Sequence, residues 1–593
     1  MKILGINGGR AAPLRVDPSN LRPLSDGAAA LLSDGKIACA TIEERHTRKR
    51  YAGGFQQSGI ACLHDAATTP DRLDAVGHST CCDVRWTREA DIIDDIVESW
   101  RSHYTPEYLT SALRGRVYSV DHHESHAFLA FAGSGFRRAL VCVMDGLGNR
   151  YDEPDQFHIQ PDWWRGAFER HDFYIAEWVN DRVHLTKVHE DACGLDEIGI
   201  GEIYRGVTHY LGWPSYQYAG KTMALAAHGD PRALSDVTFV DFRPPHGISV
   251  PTPNLHASPT EQIRQVLAEA NHVEPAGLSR PAGPAARFFC DVAARLQEQV
   301  EKAIIATVSA LAERFEVQSI CFGGGVAMNC VALGKLAAHR PDLRLYVPPA
   351  PADTGQALGN ALWLAYSNRS PIAETNTARP LRSAGLGPRY GDKRLALAVE
   401  SFGAQHTELD IKECDSNSKL VSLIVDRLTA QKVIGLRFGR AEYGPRALGF
   451  ASIIADARQR EMHDTMVKVK RREPFRPYAP SILQERVADY FDISIPSPFM
   501  SFAGTVREEK RSRIPAVVHI DGTARYHSVA RDRGIYRRVL EEFCQRTRVP
   551  VIMNTSFNVN GEPIVESPED TLDCFYRSGI HSLAIGKWII DRN

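Results

Sequence analysis

The chain opens with a short apolar run, ILGI (residues 3–6), of the length expected for a buried strand. AAALLSDGKIACATI (28–42) holds two more such runs joined by Asp34-Gly35. An Asp-Gly pair between apolar runs predicts a tight hairpin, because both turn residues must take positive φ. RALVCVMDG (138–146) is a further buried-strand pattern that stops at an acid and a glycine. From Phe288 to Phe315 the period changes: Phe289, Val292, Leu296, Val300, Ile304, Val308 and Leu311 fall three or four residues apart, the stripe of a long amphipathic helix. It leads into SICF and then GGGVAMNCVALGKL. Strand, glycine-rich turn and helix start is the arrangement that points backbone N–H groups at a phosphate. YVPPAPADTGQALGNALWLA follows: an extended segment, a loop holding Asp353, and a helix of small residues.

Residues 367–392 are rich in Pro, Gly, Ser and charge, which predicts a linker and a boundary at roughly residue 380. At 593 residues the chain is too long for one core. The expected organisation is a first domain over 1–375, a linker over 376–392 and a second domain over 393–593. A hydrophobic fraction of 43%, a charged fraction of 24% and a formal net charge of −2 exclude a generally basic surface drawn to nucleic acid. No apolar stretch approaches the ~20 residues of a membrane span, and the run in MKILGINGGR is too short for a signal sequence. Twelve cysteines without a C-x-x-C pair point to a reducing compartment and no structural zinc. A cytoplasmic protein with neither membrane nor nucleic-acid partner is expected.

The stretch DHHESHAFLA (121–130) carries the first candidate chemistry. On a helix, His122 and His126 share a face with Cβ atoms about 5–6 Å apart, close enough to serve one metal ion. The zinc-protease pattern needs Glu directly after the first His, and here that position is His123. The pair therefore needs ligands from elsewhere, or is ordinary core. Asp353 reads as an N-cap on its own.

Beyond the linker the cations concentrate. GRAEYGPRALG (439–449) carries Arg440 and Arg446, and KVKRREPFRPYAPSIL (468–483) carries Lys468, Lys470, Arg471, Arg472 and Arg476. DGTARYH adds Arg525, and NTSFNVNGEPIV adds Asn554, Thr555, Ser556 and Asn558. A charge run is usually a solvated face. Arginines fixed beside prolines and glycines suit bidentate grip on phosphate instead, so a phosphate or nucleotide site is expected in this domain.

Taken together, LGIN, DGAAALL, EERHTRKR, HHESH, MDG, AGKTMALAAHG, GGGVAMNC, the loop around Asp353, GRAEYGPRALG, the K-x-R-E-x-F-R-P-Y-A-P run and NTSFN…GEPI resemble the O-carbamoyltransferases of antibiotic and nodulation-factor biosynthesis. The resemblance spans nearly the whole chain. It implies a mixed α/β protein: a two-lobed actin-like domain similar to threonylcarbamoyl transferases, then a domain similar to threonylcarbamoyl-AMP synthases. The implied reaction makes carbamoyl-AMP and pyrophosphate from carbamoyl phosphate and ATP with Mg2+. The carbamoyl group then passes to a hydroxyl of a small-molecule acceptor.

The resemblance also implies a metal, iron(II) or another first-row divalent ion, on His122, His126, Asp145 and Asp353. It assigns Gly325 and Asn329 to an adenylate-binding turn, Gly220 and Lys221 to a phosphate-facing segment, and Arg50 to the vicinity of the carbamoyl group. Arg446, Lys470, Arg476 and Arg525 would hold ATP phosphates, with Asn554 and Ser556 near carbamoyl phosphate; Arg440, Arg472 and Asn558, in the same motifs, are further candidate binding residues. A homodimer is compatible with all of this.

Two positions depart from the family pattern. The family's His-Asp-x-(Ser/Ala)-Ala is here Ser25-Asp26-Gly27-Ala28-Ala29, so a candidate general base is replaced by a hydroxyl that cannot accept a proton near pH 7. Asp26 is one possible substitute. Ala451 stands where the family commonly has Arg, and Arg437, Arg471 or Arg472 would have to compensate. The rival readings are a tRNA-modifying threonylcarbamoyl transferase, an actin-like ATPase or kinase, and a non-catalytic nucleotide-binding regulator. The acceptor is not legible; Trp163, Trp164, Phe168, Phe173, Tyr174 and Trp178 either line its pocket or belong to the core.

Overall fold

The computed structural model describes residues 1–8, 26–79, 89–146, 169–191, 199–242, 248–249, 259–281, 283–372 and 379–592. Ser25, Trp163, Trp164 and Phe168 lie outside them. The fold is mixed α/β. The chain forms two compact units: Met1–Asn7, Leu32–Lys36 and Pro70–Leu381 in one, and Gly8–Leu31, Ile37–Thr69 and Arg382–Asn593 in the other.

In the first unit, Lys2–Asn7, Ala75–Ser79 and Val117–Ser119 are parallel neighbours. A second sheet runs in the spatial order Arg344–Tyr346, Ser319–Gly323, Arg138–Met144, His171–Val179 and Arg182–Asp191. Its first three strands are parallel and the rest form an antiparallel meander. Ser319–Gly323 and Arg138–Met144 are apolar nearly throughout because both faces are covered. The helix Arg287–Arg314 carries the periodic stripe at the expected positions, with Phe289, Val292, Leu296, Val300, Val308 and Leu311 fully buried. Phe173 and Tyr174 are buried on His171–Val179, as core.

In the second unit a nine-stranded mixed sheet has Leu409–Glu413 at one edge and Phe502–Thr505 at the other. Ile434–Arg437, Ala451–Asp456, Val551–Ser556 and Ala479–Leu483 are consecutive antiparallel neighbours in its centre. The turn between Ala28–Ser33 and Lys36–Ile42 falls on Asp34 and Gly35 with φ of 49° and 69°, as the dipeptide requires.

The segment EERHTRKR is tied to the C-terminal residues of its unit. The Arg45 guanidinium donates to the Gly444 carbonyl at 2.7 Å, and Arg48 donates to the Ile564 and Pro563 carbonyls at 2.8 and 3.1 Å. Among the described residues all nine cysteines are unpaired, and no helix is long and apolar enough to cross a membrane.

Candidate functional site

Asp121 caps the helix His122–Ser134, its carboxylate accepting the Glu124 N–H at 2.9 Å. The helix therefore starts at His122, and the four-residue step brings the rings of His122 and His126 edge to face, centroids 5.0 Å apart. Asp145 follows the strand Arg138–Met144. Its Oδ1 accepts the N–H groups of Gly146 and Gly325 at 2.8 and 3.1 Å. That leaves Oδ2 against Nε2 of His122 at 3.2 Å and Nε2 of His126 at 3.1 Å. Asp353 opens the short 3-10 turn Asp353–Gly355, and its Oδ1 stands 3.7 and 3.4 Å from the same two nitrogens. One ligand atom from each of the four residues lies within 4.8 Å of the others.

The electrostatics fit a cation. Burial works against a charged His126, yet Asp145 and Asp353 outweigh it and push the imidazole up to about 9. Burial likewise pushes Asp145 up, and the two imidazoles overcome it and hold the carboxyl well below the usual range. Two imidazoles and two carboxylates are a donor set for first-row divalent metals, and these residues form a possible metal site.

Sequence reasoning missed the polar residues behind it. Gln356, fully buried, brings its amide nitrogen to 2.8 Å from Nδ1 of His122 and 2.9 Å from Nε2 of His126. Its amide oxygen accepts the Ser79 hydroxyl, which in turn accepts the Asn360 amide at 2.9 Å. Nothing in the local pattern distinguishes Gln356 from a helix-start residue; its partners come from far along the chain. A second buried cluster was also missed. His123 Nδ1 lies 2.9 Å from Asp172, but Lys187 sits 3.0 Å from the same carboxylate oxygen and already supplies the cation.

The glycine-rich turn works chiefly on Asp145. Gly324 has φ +85°, and a Cβ there would come within 2.3 Å of the Met144 carbonyl oxygen, so the turn presses against the strand that carries the acid. Asn329 caps the helix Cys330–His339 by accepting the Ala332 N–H at 3.1 Å, and it exchanges two hydrogen bonds with Gln297, both 3.1 Å. Asn329→Ala is therefore expected to destabilise the unit by about 1–2 kcal/mol, read as a shift in its urea midpoint. Gly220 is exposed with open space around it. The Lys221 ammonium lies 4.4 Å from the centroid of the Tyr218 ring.

In the second unit Lys470, at the end of the helix Glu461–Lys470, is buried. Its ammonium donates to Ser556 O at 2.6 Å, Ser556 Oγ at 3.2 Å, Asn558 O at 2.6 Å and Asn558 Oδ1 at 2.5 Å, all uncharged oxygens. Burial, then Arg472, Arg476 and Arg50, pull it well below the ordinary lysine range. Arg472 is pulled down in the same way, by burial and by Arg476 and Arg525, and lies over the Tyr478 ring at 4.3 Å. Lys470 and Arg472 thus lie in a field raised by Arg476, Arg525 and Arg50, with Glu473, 3.5 Å from Arg476, as a nearby carboxylate.

Other predicted residues are held structurally. Arg440 pairs with Asp65 at 2.9 Å and donates to the Gly387 carbonyl. Asn554 is buried and donates to Ala447 O at 3.0 Å and Ser481 Oγ at 3.1 Å. Arg446 is half-buried, and Asp26 takes a left-handed φ of 67°. Ala451 is fully buried, its N–H donated to Glu442 at 3.0 Å. Arg437 donates to Gly439 O and Glu566 O, and Arg471 reaches Arg577 O at the surface, which leaves Arg472 in the cation cluster.

Glu566, fully enclosed in this unit, is pushed up to about 7 by burial, against the pull of Arg437 and Arg45. The folded protein keeps this proton up to about that pH, while the unfolded chain releases it near the ordinary value of 4.5. The group's contribution to stability is therefore present below pH 4.5 and lost as pH rises through 7. Glu566→Gln should flatten that decline and gain about 3 kcal/mol at pH 8 relative to the parent, measured by urea midpoints at pH 5 and 8.

The comparisons with known proteins follow the same division. The family description "Carbamoyltransferase N-terminus" matches residues 90–362, and "Carbamoyltransferase C-terminus" matches residues 425–592. Nodulation protein NolO of Bradyrhizobium diazoefficiens is 32% identical over 79% of this chain and 78% of its own. Nodulation protein NolNO of Sinorhizobium fredii is 30% identical over 96% of this chain and 79% of its own. The uncharacterized protein sll1178 of Synechocystis is 29% identical over 95% of both chains. Among solved structures, full-length HypF in its phosphate- and nucleotide-bound form is 10% identical over 63% of this chain and 56% of its own, at a TM-score of 0.33, too low to carry an argument. Both family descriptions, in chain order, and relatives matched over most of their length establish one conclusion: the chain belongs to the carbamoyltransferase family.

Proposed function

We propose that this protein is an ATP-dependent O-carbamoyltransferase that forms carbamoyl-AMP from carbamoyl phosphate and ATP, then transfers the carbamoyl group to a hydroxyl of a small-molecule acceptor. The observation that carries the reading is the pairing of two unlike sites in one family member. One unit holds a convergent His/Asp cluster that fits a divalent metal; the other holds a buried lysine whose hydrogen-bond partners are four uncharged oxygens and whose neighbours are several arginines. The second is the environment a polyphosphate needs, because desolvated forks and ammonium groups are poised for charge before it arrives.

In this reading Lys470, Arg446, Arg476 and Arg525 hold the ATP phosphates, with Mg2+ as the nucleotide's counter-ion. Ser556 and Asn558, already oriented by Lys470, face carbamoyl phosphate. Water would first cleave carbamoyl phosphate to carbamate and inorganic phosphate; attack of a carbamate oxygen on the α-phosphorus of ATP would then form the mixed anhydride and release pyrophosphate. Arg472 stands in for the arginine absent at Ala451. Arg472→Ala is expected to raise the KM for ATP by about 10- to 100-fold, the loss of one charge-assisted contact; a KM that does not move would place the compensation elsewhere.

His122, His126, Asp145 and Asp353 would hold iron(II) or another first-row divalent ion. Such an ion supplies Lewis acidity for negative charge developing on carbonyl or phosphate oxygen. Around it, Asp145 and Asp353 keep the two imidazoles convergent, and the backbone N–H groups of Gly146 and Gly325 keep Asp145 aimed. The test is label transfer from [14C]carbamoyl phosphate to a panel of hydroxyl compounds. The reading expects transfer that requires ATP and releases AMP and pyrophosphate in equal amounts; release of ADP would overturn the adenylate step.

A further inference from the structure

The non-ligand side of the metal cluster is built as carefully as the ligand side. Gln356 follows directly on the turn Asp353–Gly355, as the first residue of the helix Gln356–Tyr366, with its side chain fully buried. One end of the amide meets His122 Nδ1 at 2.8 Å and His126 Nε2 at 2.9 Å. The other end is clamped by the Ser79 hydroxyl, which is held in turn by Asn360 at 2.9 Å; Asn360 is anchored on the Ile6 carbonyl at 3.0 Å. The Gln356 backbone carbonyl accepts the Ser125 hydroxyl at 3.1 Å, from the helix that carries both histidines. The amide is hydrogen-bonded at both ends, so only a full half-turn, which exchanges donor and acceptor, keeps both ends partnered.

We propose that Gln356 is the positioning residue of the His/Asp site: it fixes the ring orientation of His122 by holding a hydrogen bond to its Nδ1. This rests on the metal reading above. His122 turns Nε2 to the two carboxylates, so Nδ1 is the nitrogen left facing Gln356. A histidine that binds a metal through one nitrogen carries its proton on the other and gives it to an acceptor. An amide offers both a donor and an acceptor end, exchanged by a half-turn. The same side chain can therefore donate to Nδ1 in the metal-free pair and accept from it in the loaded one, with Ser79 able to answer either end. Leu in its place would fill the space and do neither.

The test uses cobalt(II) as probe on the full-length protein, with no turnover involved. Affinity is measured by competition with a chelator, and geometry by the visible absorption of the bound ion. The wild type is expected to take up one equivalent. Gln356→Leu is expected to bind about 10- to 100-fold more weakly, with an altered spectrum. Gln356→Glu keeps an acceptor for Nδ1–H and is expected to bind within a few-fold of wild type or more tightly. A packing role predicts the reverse order, since a buried carboxylate disturbs a core more than leucine does. Gln356→Leu binding like wild type, or Gln356→Glu binding no better than Gln356→Leu, would overturn the proposal. Should Gln356→Leu not fold, Ser79→Ala frees the far end of the amide and is expected to weaken cobalt binding several-fold; unchanged binding there counts against the clamp. A wild type that takes up no cobalt defeats the metal reading itself, which is a different result from variants that all bind alike.

Discussion

His126→Ala is expected to leave the purified protein without tightly bound divalent metal and to slow carbamoyl transfer by about 10³-fold or more, the several kcal/mol that a Lewis acid supplies. His126 is the better choice of the two histidines for this test. It is buried, it lies 3.1 Å from Asp145 and 3.4 Å from Asp353, and those acids are what push it up to about 9. Removing it leaves both carboxylates one partner short. The same variant should retain ATP–pyrophosphate exchange, because the cation cluster that would carry that step is made of other residues. Metal content by mass spectrometry and the two rates form the readout. Loss of both rates in a folded variant would show that one site serves both steps; loss of neither would remove the metal from the mechanism.

Lys470→Met carries the second large effect, in the opposite half-reaction. The ammonium is buried, it meets four uncharged oxygens, and Arg472, Arg476 and Arg50 repel it. A lysine so placed is unfavourable unless an anion completes its surroundings. Methionine has nearly the same length and no charge, so the cluster keeps its packing and loses its deepest cation. ATP–pyrophosphate exchange is expected to fall by about 10²-fold or more, from one or two charge-assisted contacts to phosphate. Pre-formed carbamoyl-AMP, supplied directly, should still be used. Exchange at the parent rate would mean that the phosphates do not bind against Lys470.

The residues that were legible in the sequence are those whose role is written in local spacing or type. The hairpin at Asp34-Gly35 follows from the φ values that dipeptide accepts, and the helix Arg287–Arg314 from its periodic stripe. His122 and His126 announce themselves by their four-residue step, because the helix that spaces them also aims them. Residue type was a poorer guide where a donor had a structural use. Arg440 and Asn554 carry the groups a phosphate or planar substrate needs, yet Asp65, Gly387, Ala447 and Ser481 engage them within the fold. Asn329 reads as a turn residue facing a ligand and is found capping a helix against Gln297. Gln356 was invisible for the converse reason. Its importance comes from Ser79, His122 and Asn360, and only the third of these is near it in sequence. EERHTRKR read as part of the first domain, and its Arg45 and Arg48 are engaged with Gly444, Pro563 and Ile564; no local signal in the segment specifies those carbonyl partners.

The measurement that tests the central claim most directly needs no acceptor: ATP–pyrophosphate exchange by the purified protein with Mg2+, with and without carbamoyl phosphate. The account predicts exchange that requires carbamoyl phosphate and that Arg446→Ala abolishes in a protein still folded. Exchange independent of carbamoyl phosphate, or none from well-folded protein supplied with both substrates, would contradict it.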